Sequence, residues 1–253
     1  MGDFYLTLPS NSSMDHYPNN SASHYYTELP QHIDLSSIEY EIGLAEIQFP
    51  NTYTNIDGGW IQIAHEELEP ARQIPIPNGL YDSPSTLVTT LNDIISNYHH
   101  PENTTNIDIT FSYSKPARIA SIELNVKGSR LRLSPQIGAL LGMNDSLMFG
   151  PGKFIGSRMV DIHNNAYAVY VYCDLVSARP VGDMMVPLLR IIPTVDKTKD
   201  IIHRTYEKPH YLTLNRHQFN VIEIILRTDT GQSPAFATGT SVVTLHFRPK
   251  RNR

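Results

Sequence analysis

Chemistry in this chain would have to come from its histidines, its carboxylates, its one cysteine and a glycine-rich turn, and spacing decides what each can do. His65-Glu66 opens like the helix of a zinc protease, where a second imidazole four residues after the first completes the ligand pair; that position holds Glu69, so the run reads as a solvated acidic turn. His99 and His100 are adjacent, which in a strand would send them to opposite faces. His210 and His217 would meet a metal only if folding joined them, and as surface side chains they need none. Gly150-Pro151-Gly152-Lys153 lacks the G-x-x-x-x-G-K-[ST] spacing, and no helical pattern follows it, so it reads as a flexible loop. Cys173 alternates with Val169, Val171 and Leu175 on one face, the position of an inert core thiol. No G-x-S-x-G elbow occurs. These residues describe a scaffold without a reacting centre, with no cofactor, no metal and no enzymatic activity expected; binding or assembly is favoured over catalysis.

The elements that would position such a scaffold are mostly strands. From Ala166 to Pro193 the chain first alternates strictly, with Tyr167, Val169, Val171, Cys173 and Leu175 on one face and Ala168, Tyr170, Tyr172 and Asp174 on the other. β-branched and aromatic residues fit a pleated surface better than a helical turn. Pro180 and Gly182 break the run and let the chain reverse into a second strand, Met185 to Ile192, so a long hairpin is expected. Further strands are expected at Phe4–Leu8, Tyr25–Leu29, Glu39–Phe49, Pro209–Leu214, Val221–Leu226 and Ser241–Phe247, with Lys197–Thr205 as a charged connector. Within Glu39–Phe49, Tyr40, Ile42, Leu44 and Glu46 fall on one side and Glu41, Gly43, Ala45, Ile47 and Phe49 on the other, and Gly43 marks a bulge or close packing.

Between Thr52 and Gly150 the pattern changes. Ser83 stands where a cap belongs and Pro84 at a first helical position, and Leu87, Val88, Leu91, Ile94 and Ile95 then form one amphipathic face. A shorter helix is signalled by Ser134-Pro135 before Ile137, Leu140 and Leu141, with Gly142 as its stop. Strands are expected at Trp60–Ala64, Ile107–Tyr113, Ile119–Val126 and Leu131–Leu133. The fold class is therefore mainly β: a β domain built from residues 1–56 and 160–253, interrupted by an α+β subdomain at 57–159.

Composition agrees with many short strands joined by turns: 14 Tyr and 18 Pro accompany a net charge of −5. That charge argues against a protein that coats DNA over its whole surface. One cysteine excludes an intrachain disulfide framework and suits a reducing site of synthesis. No stretch approaches the ~20 apolar residues that span a bilayer, the first residues lack a secretory pattern, and Leu6 breaks the myristoylation motif, so no membrane partner is expected. Two features point to assembly. Tyr5, Tyr17, Tyr25, Tyr26, Tyr40 and Tyr53 crowd the start of the chain, as at subunit contacts or on a tyrosine-rich sheet surface, and both readings stand. Arg248, Lys250, Arg251 and Arg253 form a short basic end, either a solvated tail or an arm that touches nucleic-acid phosphates.

Taken together, FYLTLPSNSS (Phe4 to Ser13), HYYTELPQHIDL (His24 to Leu35) and EYEIGLAEIQFP (Glu39 to Pro50) resemble the opening of the minor capsid, or penton, proteins of Polinton (Maverick) DNA transposons, which look like integrated viruses. The likeness runs on in order through NGLYDSPSTLVTTLN, LSPQIGALLGM, VYVYCDLVSARPVGDMMVPLLRIIP and KPHYLTLNRHQFNVIEIILRTDTGQSPAFATGTSVVTLHF, over nearly the whole chain. It implies a single jelly-roll β-sandwich whose homopentamer fills the fivefold vertex of an icosahedral shell. It also implies a double-jelly-roll major capsid protein, the hexon, as partner. Packaged DNA would be met through the basic end, and the location would be the virion capsid, after synthesis in the cytoplasm and assembly in the nucleus. A jelly-roll recognition module that binds glycan or receptor through the 57–159 subdomain is the alternative.

Overall fold

The computed structural model describes residues 2–52, 54–65, 68–97, 108–143, 147–162, 167–194 and 200–250. The chain divides into two compact units, one made of Met1–Tyr53 and Asn165–Arg253, the other of Thr54–Asn164.

The first unit is a sandwich of eight principal strands: β1 (Phe4–Pro9), β2 (His24–Asp34), β3 (Tyr40–Pro50), β4 (Ala168–Cys173), β5 (Leu188–Pro193), β6 (Ile201–Thr205), β7 (Gln218–Thr228) and β8 (Val242–Pro249). One sheet runs β1-β8-β3-β6 and the other β5-β4-β7-β2, all antiparallel. The first strand pairs the eighth, the second the seventh, the third the sixth and the fourth the fifth. This nested pairing, divided between two sheets over one core, is a jelly roll.

Period-2 burial drives it. Val169 and Val171 of β4, Ile222, Ile224 and Leu226 of β7, and Val243, Leu245 and Phe247 of β8 are all buried in one cluster drawn from both sheets. Each contributes about 1.5–3 kcal/mol by leaving water. Tyr25 of β2 is fully buried, and its phenol donates to the Leu8 carbonyl of β1 at 3.0 Å, a bond between the two sheets. Burial pushes that phenol's pKa up.

Several expectations are corrected. In β3, Tyr40, Ile42 and Leu44 face the core, but beyond them Ile47 and Phe49 do. The phase flips because Thr244 stands opposite Glu46 and Leu245 opposite Leu44, which leaves Ala45 as the extra residue of a bulge. Of the two readings of Gly43, close packing is the one that holds: a Cβ there would lie 2.8 Å from Pro209 Cβ and 3.1 Å from the His210 carbonyl oxygen. The return arm of the hairpin is not continuous from Met185 to Ile192. Arg179–Val181 and Met184–Val186 pair with each other, and β5 begins only after Pro187. The sixth strand falls at Ile201–Thr205, inside the stretch read as a connector, whereas Pro209–Leu214 contributes only Leu212–Thr213 to a sheet.

The second unit has its own core. One four-stranded sheet orders Leu68–Pro75, Trp60–His65, Ser129–Leu133 and Met148–Phe149; a three-stranded sheet orders Gly152–Ile155, Ile119–Leu124 and Ile109–Ser114. Gly152–Ile155 is thus a strand paired with Ile119–Leu124, not a flexible loop. Leu68–Pro75 is likewise a strand, paired with Trp60–His65. Helix α1 (Pro84–Ser96) is capped by Ser83, whose hydroxyl accepts from the Thr86 N–H at 3.1 Å, and it buries Leu87, Val88, Leu91 and Ile95. Helix α2 (Pro135–Leu140) is capped in the same way by Ser134. Near the start of the unit, the buried Asn55 amide donates to the Tyr81 and Ile162 carbonyls at 2.8 Å each and accepts from the Tyr81 N–H at 2.8 Å. It holds the start of the unit to its end. Among the described residues, no helix is long and apolar enough to cross a membrane.

Candidate assembly surface

The four basic residues at the end of the chain do not share one situation. Arg248 donates to Glu41 Oε2 from Nε at 3.2 Å and from a terminal nitrogen at 3.0 Å, and its guanidinium carbon lies 3.3 Å over the Tyr211 ring. Lys250 Nζ meets Glu39 Oε2 at 2.7 Å. Their mutual hydrogen bond lowers the Glu39 pKa and raises that of Lys250. Arg251 and Arg253 lie outside the described residues, as do Tyr53, His99, His100 and the side chain of His65. Cys173 is buried, and burial pushes its thiol pKa up. His210 and His217 are exposed, and among the described residues no three His, Cys, Asp or Glu side chains form a metal-binding group.

The early tyrosines separate by role. Tyr25 and Tyr40 are core residues, so they offer nothing to a partner. Tyr5 is exposed and stacks on His246 with ring centroids 4.3 Å apart. Tyr17 stacks on Tyr26 at 5.1 Å.

Strand register assembles a surface that no single stretch announces. Residues directly opposite one another share a face. Across the outer side of the β5-β4-β7-β2 sheet this sets three rows: Ile191, Tyr170 and Arg227; then Tyr172, Ile225 and His24; then Glu223 and Tyr26. Ile191 is 43% exposed and the tyrosines are half-buried. Glu223 is the fixed point. Its Oε1 accepts from the Tyr26 phenol at 2.6 Å and lies 2.8 Å from His24 Nε2. Its backbone N–H donates to Asp174 Oδ1 at 2.9 Å, and Asp174 in turn pairs with Arg216. The hydrogen bond to the carboxylate pushes the Tyr26 phenol up to about 12. Burial raises the Asp174 carboxyl above its ordinary value. Polar groups here bind one another and orient the rings. A tyrosine face held in this way presents large amphipathic area with little side-chain entropy left to lose.

The outer side of the other sheet differs. There the segment after β6 lies against Gly43, and Tyr211 Oη sits 2.8 Å from Nδ1 of His246, which is only 7% exposed. A shallow hollow of about 400 Å³ between Ser21–Ser23 and Pro234–Gly239 is lined by no ionisable side chain.

The basic end was visible as composition, but its carboxylate partners were not, because Glu41 and Glu39 are reached only through the pairing of β8 with β3. The Tyr170, Tyr172, Ile225 and Ile191 surface escaped residue-by-residue reading too. Its signal was the polar-side phase of β4, where Tyr170 and Tyr172 alternate with the buried valines.

No family model matches this chain, and no curated protein matches it. Among solved structures it is similar to the mavirus penton protein, with 9% sequence identity and a TM-score of 0.48 over 98% of this chain and 100% of that one. It is also similar to a chain in the cryo-EM structure of the Sputnik virophage, with 11% identity and a TM-score of 0.45 over 99% of this chain and 98% of that one. The jelly roll itself rests on the strand order described above.

Proposed function

We propose that this chain is a structural capsid protein whose jelly roll associates with copies of itself to form the pentameric vertex of a Polinton-type icosahedral shell. The observation that carries the reading is the outer face of the β5-β4-β7-β2 sheet, where Tyr170, Tyr172, Ile225 and Ile191 are held beside an internally satisfied Glu223 network. The outer face of the opposite sheet is chemically different, and closure into a ring requires unlike surfaces to meet head to tail. The sequence resemblance supplies the shell and its second component, the double-jelly-roll hexon.

Nucleic acid enters the same proposal only locally. Arg251 and Arg253 are its phosphate partners; Arg248 and Lys250 join them by exchanging Glu41 and Glu39 for phosphate.

Light scattering of the purified chain over a wide concentration range, alone and with hexon added, tests the assembly. A five-copy species is expected, lost in Tyr170→Glu while the protein remains folded. Monomer under every condition, hexon included, refutes the proposal.

A further inference from the structure

The outward side of the four-stranded sheet in the Thr54–Asn164 unit carries side chains that the assembly reading leaves unused. Register places Trp60, Gln62 and Ala64 on one side of their strand. Pro75 and Gln73 stand opposite Trp60 and Gln62 on one neighbouring strand, and Arg132 and Arg130 stand opposite Gln62 and Ala64 on the other. The intervening residues Ile61, Ile63, Leu131 and Leu133 are buried, so the two sides are cleanly separated. Two guanidinium groups therefore stand two residues apart on one strand, with about 7 Å between their Cα atoms. Both arginines are exposed, and neither makes an ion pair among the described residues. Arg132 lies 5.8 Å from the centroid of the half-buried Trp60 ring. The stretches Trp60–Ala64, Ala71–Pro75 and Ser129–Leu133 contain no Asp or Glu; Glu69, in the same strand as Gln73, stands beyond the bulge between Ile63 and His65.

Each kind of group asks for a complementary one. A guanidinium fork matches a carboxylate or sulfate in two parallel hydrogen bonds. The carboxamides of Gln62 and Gln73 both donate to and accept from hydroxyls. An indole offers flat apolar area to a ring that carries polar groups at its edge. We propose that this face binds an acidic oligosaccharide, a short sugar chain bearing carboxylate or sulfate groups. Arg130 and Arg132 hold the anionic groups, Trp60 lies under a sugar ring, and Gln62 and Gln73 meet its hydroxyls. Nucleic acid fits less well. Its binders neutralise many phosphates along a basic surface, whereas this unit carries more carboxylates than basic side chains and offers two arginines. The site belongs to a unit with its own core and does not depend on vertex assembly.

Trp60 is the chain's one tryptophan, so fluorescence of the full-length protein excited beyond the tyrosine absorption band reports on this face. Titration with a chondroitin sulfate tetrasaccharide at low salt is expected to give a saturable change in Trp60 emission. A neutral cello-oligosaccharide of equal length should bind at least tenfold more weakly. The R130A/R132A protein should lose at least tenfold in affinity by calorimetry, a readout that is independent of any change in Trp60 environment. Because both arginines are exposed, its melting temperature should stay close to that of the parent. The proposal is overturned by no saturable binding, by parent-like affinity in the double variant, or by tighter binding of an eight-nucleotide single-stranded DNA than of the tetrasaccharide. Pentamer formation is read by scattering, so either conclusion can fail without the other.

Discussion

Replacing Asn55 tests the account of the Thr54–Asn164 unit most sharply, because one side chain there makes three buried hydrogen bonds of 2.8 Å that join the start of the unit to Tyr81 and to Ile162. Asn55→Ala removes all three and leaves two carbonyls and one N–H to find other partners. At roughly 1 kcal/mol per bond the loss is about 3 kcal/mol, and more where a group remains unsatisfied. Asn55→Asp should be worse than Ala at neutral pH, since a carboxylate cannot donate to the two carbonyls and is itself buried. Trp60 lies in this unit and is the only tryptophan, so urea denaturation followed by its fluorescence isolates the relevant transition. With a slope of roughly 2 kcal/mol per molar urea, the midpoint for Asn55→Ala should fall by about 1.5 M. A shift under about 0.3 M, or an Asp variant more stable than the Ala variant, would show that these bonds do not hold the unit closed.

Three further outcomes are expected. The Tyr26 phenol is raised to about 12 by its hydrogen bond to Glu223, while an unfolded chain titrates near 10; stability from this bond is therefore present below about pH 10 and lost as pH rises to about 12. Glu223→Gln should return the phenol toward 10 in a spectrophotometric titration corrected with Tyr26→Phe, and an unchanged titration would contradict the assignment. Tyr25→Phe keeps the ring but deletes the bond to the Leu8 carbonyl between the sheets, and thermal or chemical denaturation of the sandwich should register a loss of about 1–2 kcal/mol. Gly43→Val pushes a side chain into Pro209 and the His210 carbonyl, so it should cost about 1–3 kcal/mol and raise hydrogen exchange across residues 208–214; parent-like protection there would mean that the segment does not lie against β3.

What the sequence determined by itself was local and periodic. The α1 helix was legible because Ser83, Pro84 and the apolar spacing agree, and the cap bond forms as those residues require. Strands β4 and β8 were legible because inward and outward residues alternate along each, and β7 because the same alternation runs from Ile222 to Leu226, before which a register shift between Phe219 and Val221 breaks it. The reading of pattern placed its boundaries at Asp57 and Met159, and the compact units divide at Thr54 and Asn164. β6 was hidden in IIHRT because only Ile202 of that edge strand is buried, which is too short a pattern to separate from a charged connector. The reversal of inward and outward sides in β3 was hidden for a different reason: a bulge at Ala45 is a property of a pair of strands, and its partner Thr244-Leu245 lies near the other end of the chain.

Only the tertiary structure decided which side chains act together. Arg248 and Lys250 look like a free basic end until β8 is laid against β3, which gives them Glu41 and Glu39 from 207 and 211 residues away. Tyr170, Ile225 and His24 become one surface, and Trp60 and Arg132 another, through register between strands distant along the chain. Periodicity tells which side of a strand a residue faces, because backbone geometry imposes it within a few residues. Which strand lies alongside, and in what register, follows from burying all the inward sides at once, and that choice is a property of the whole fold.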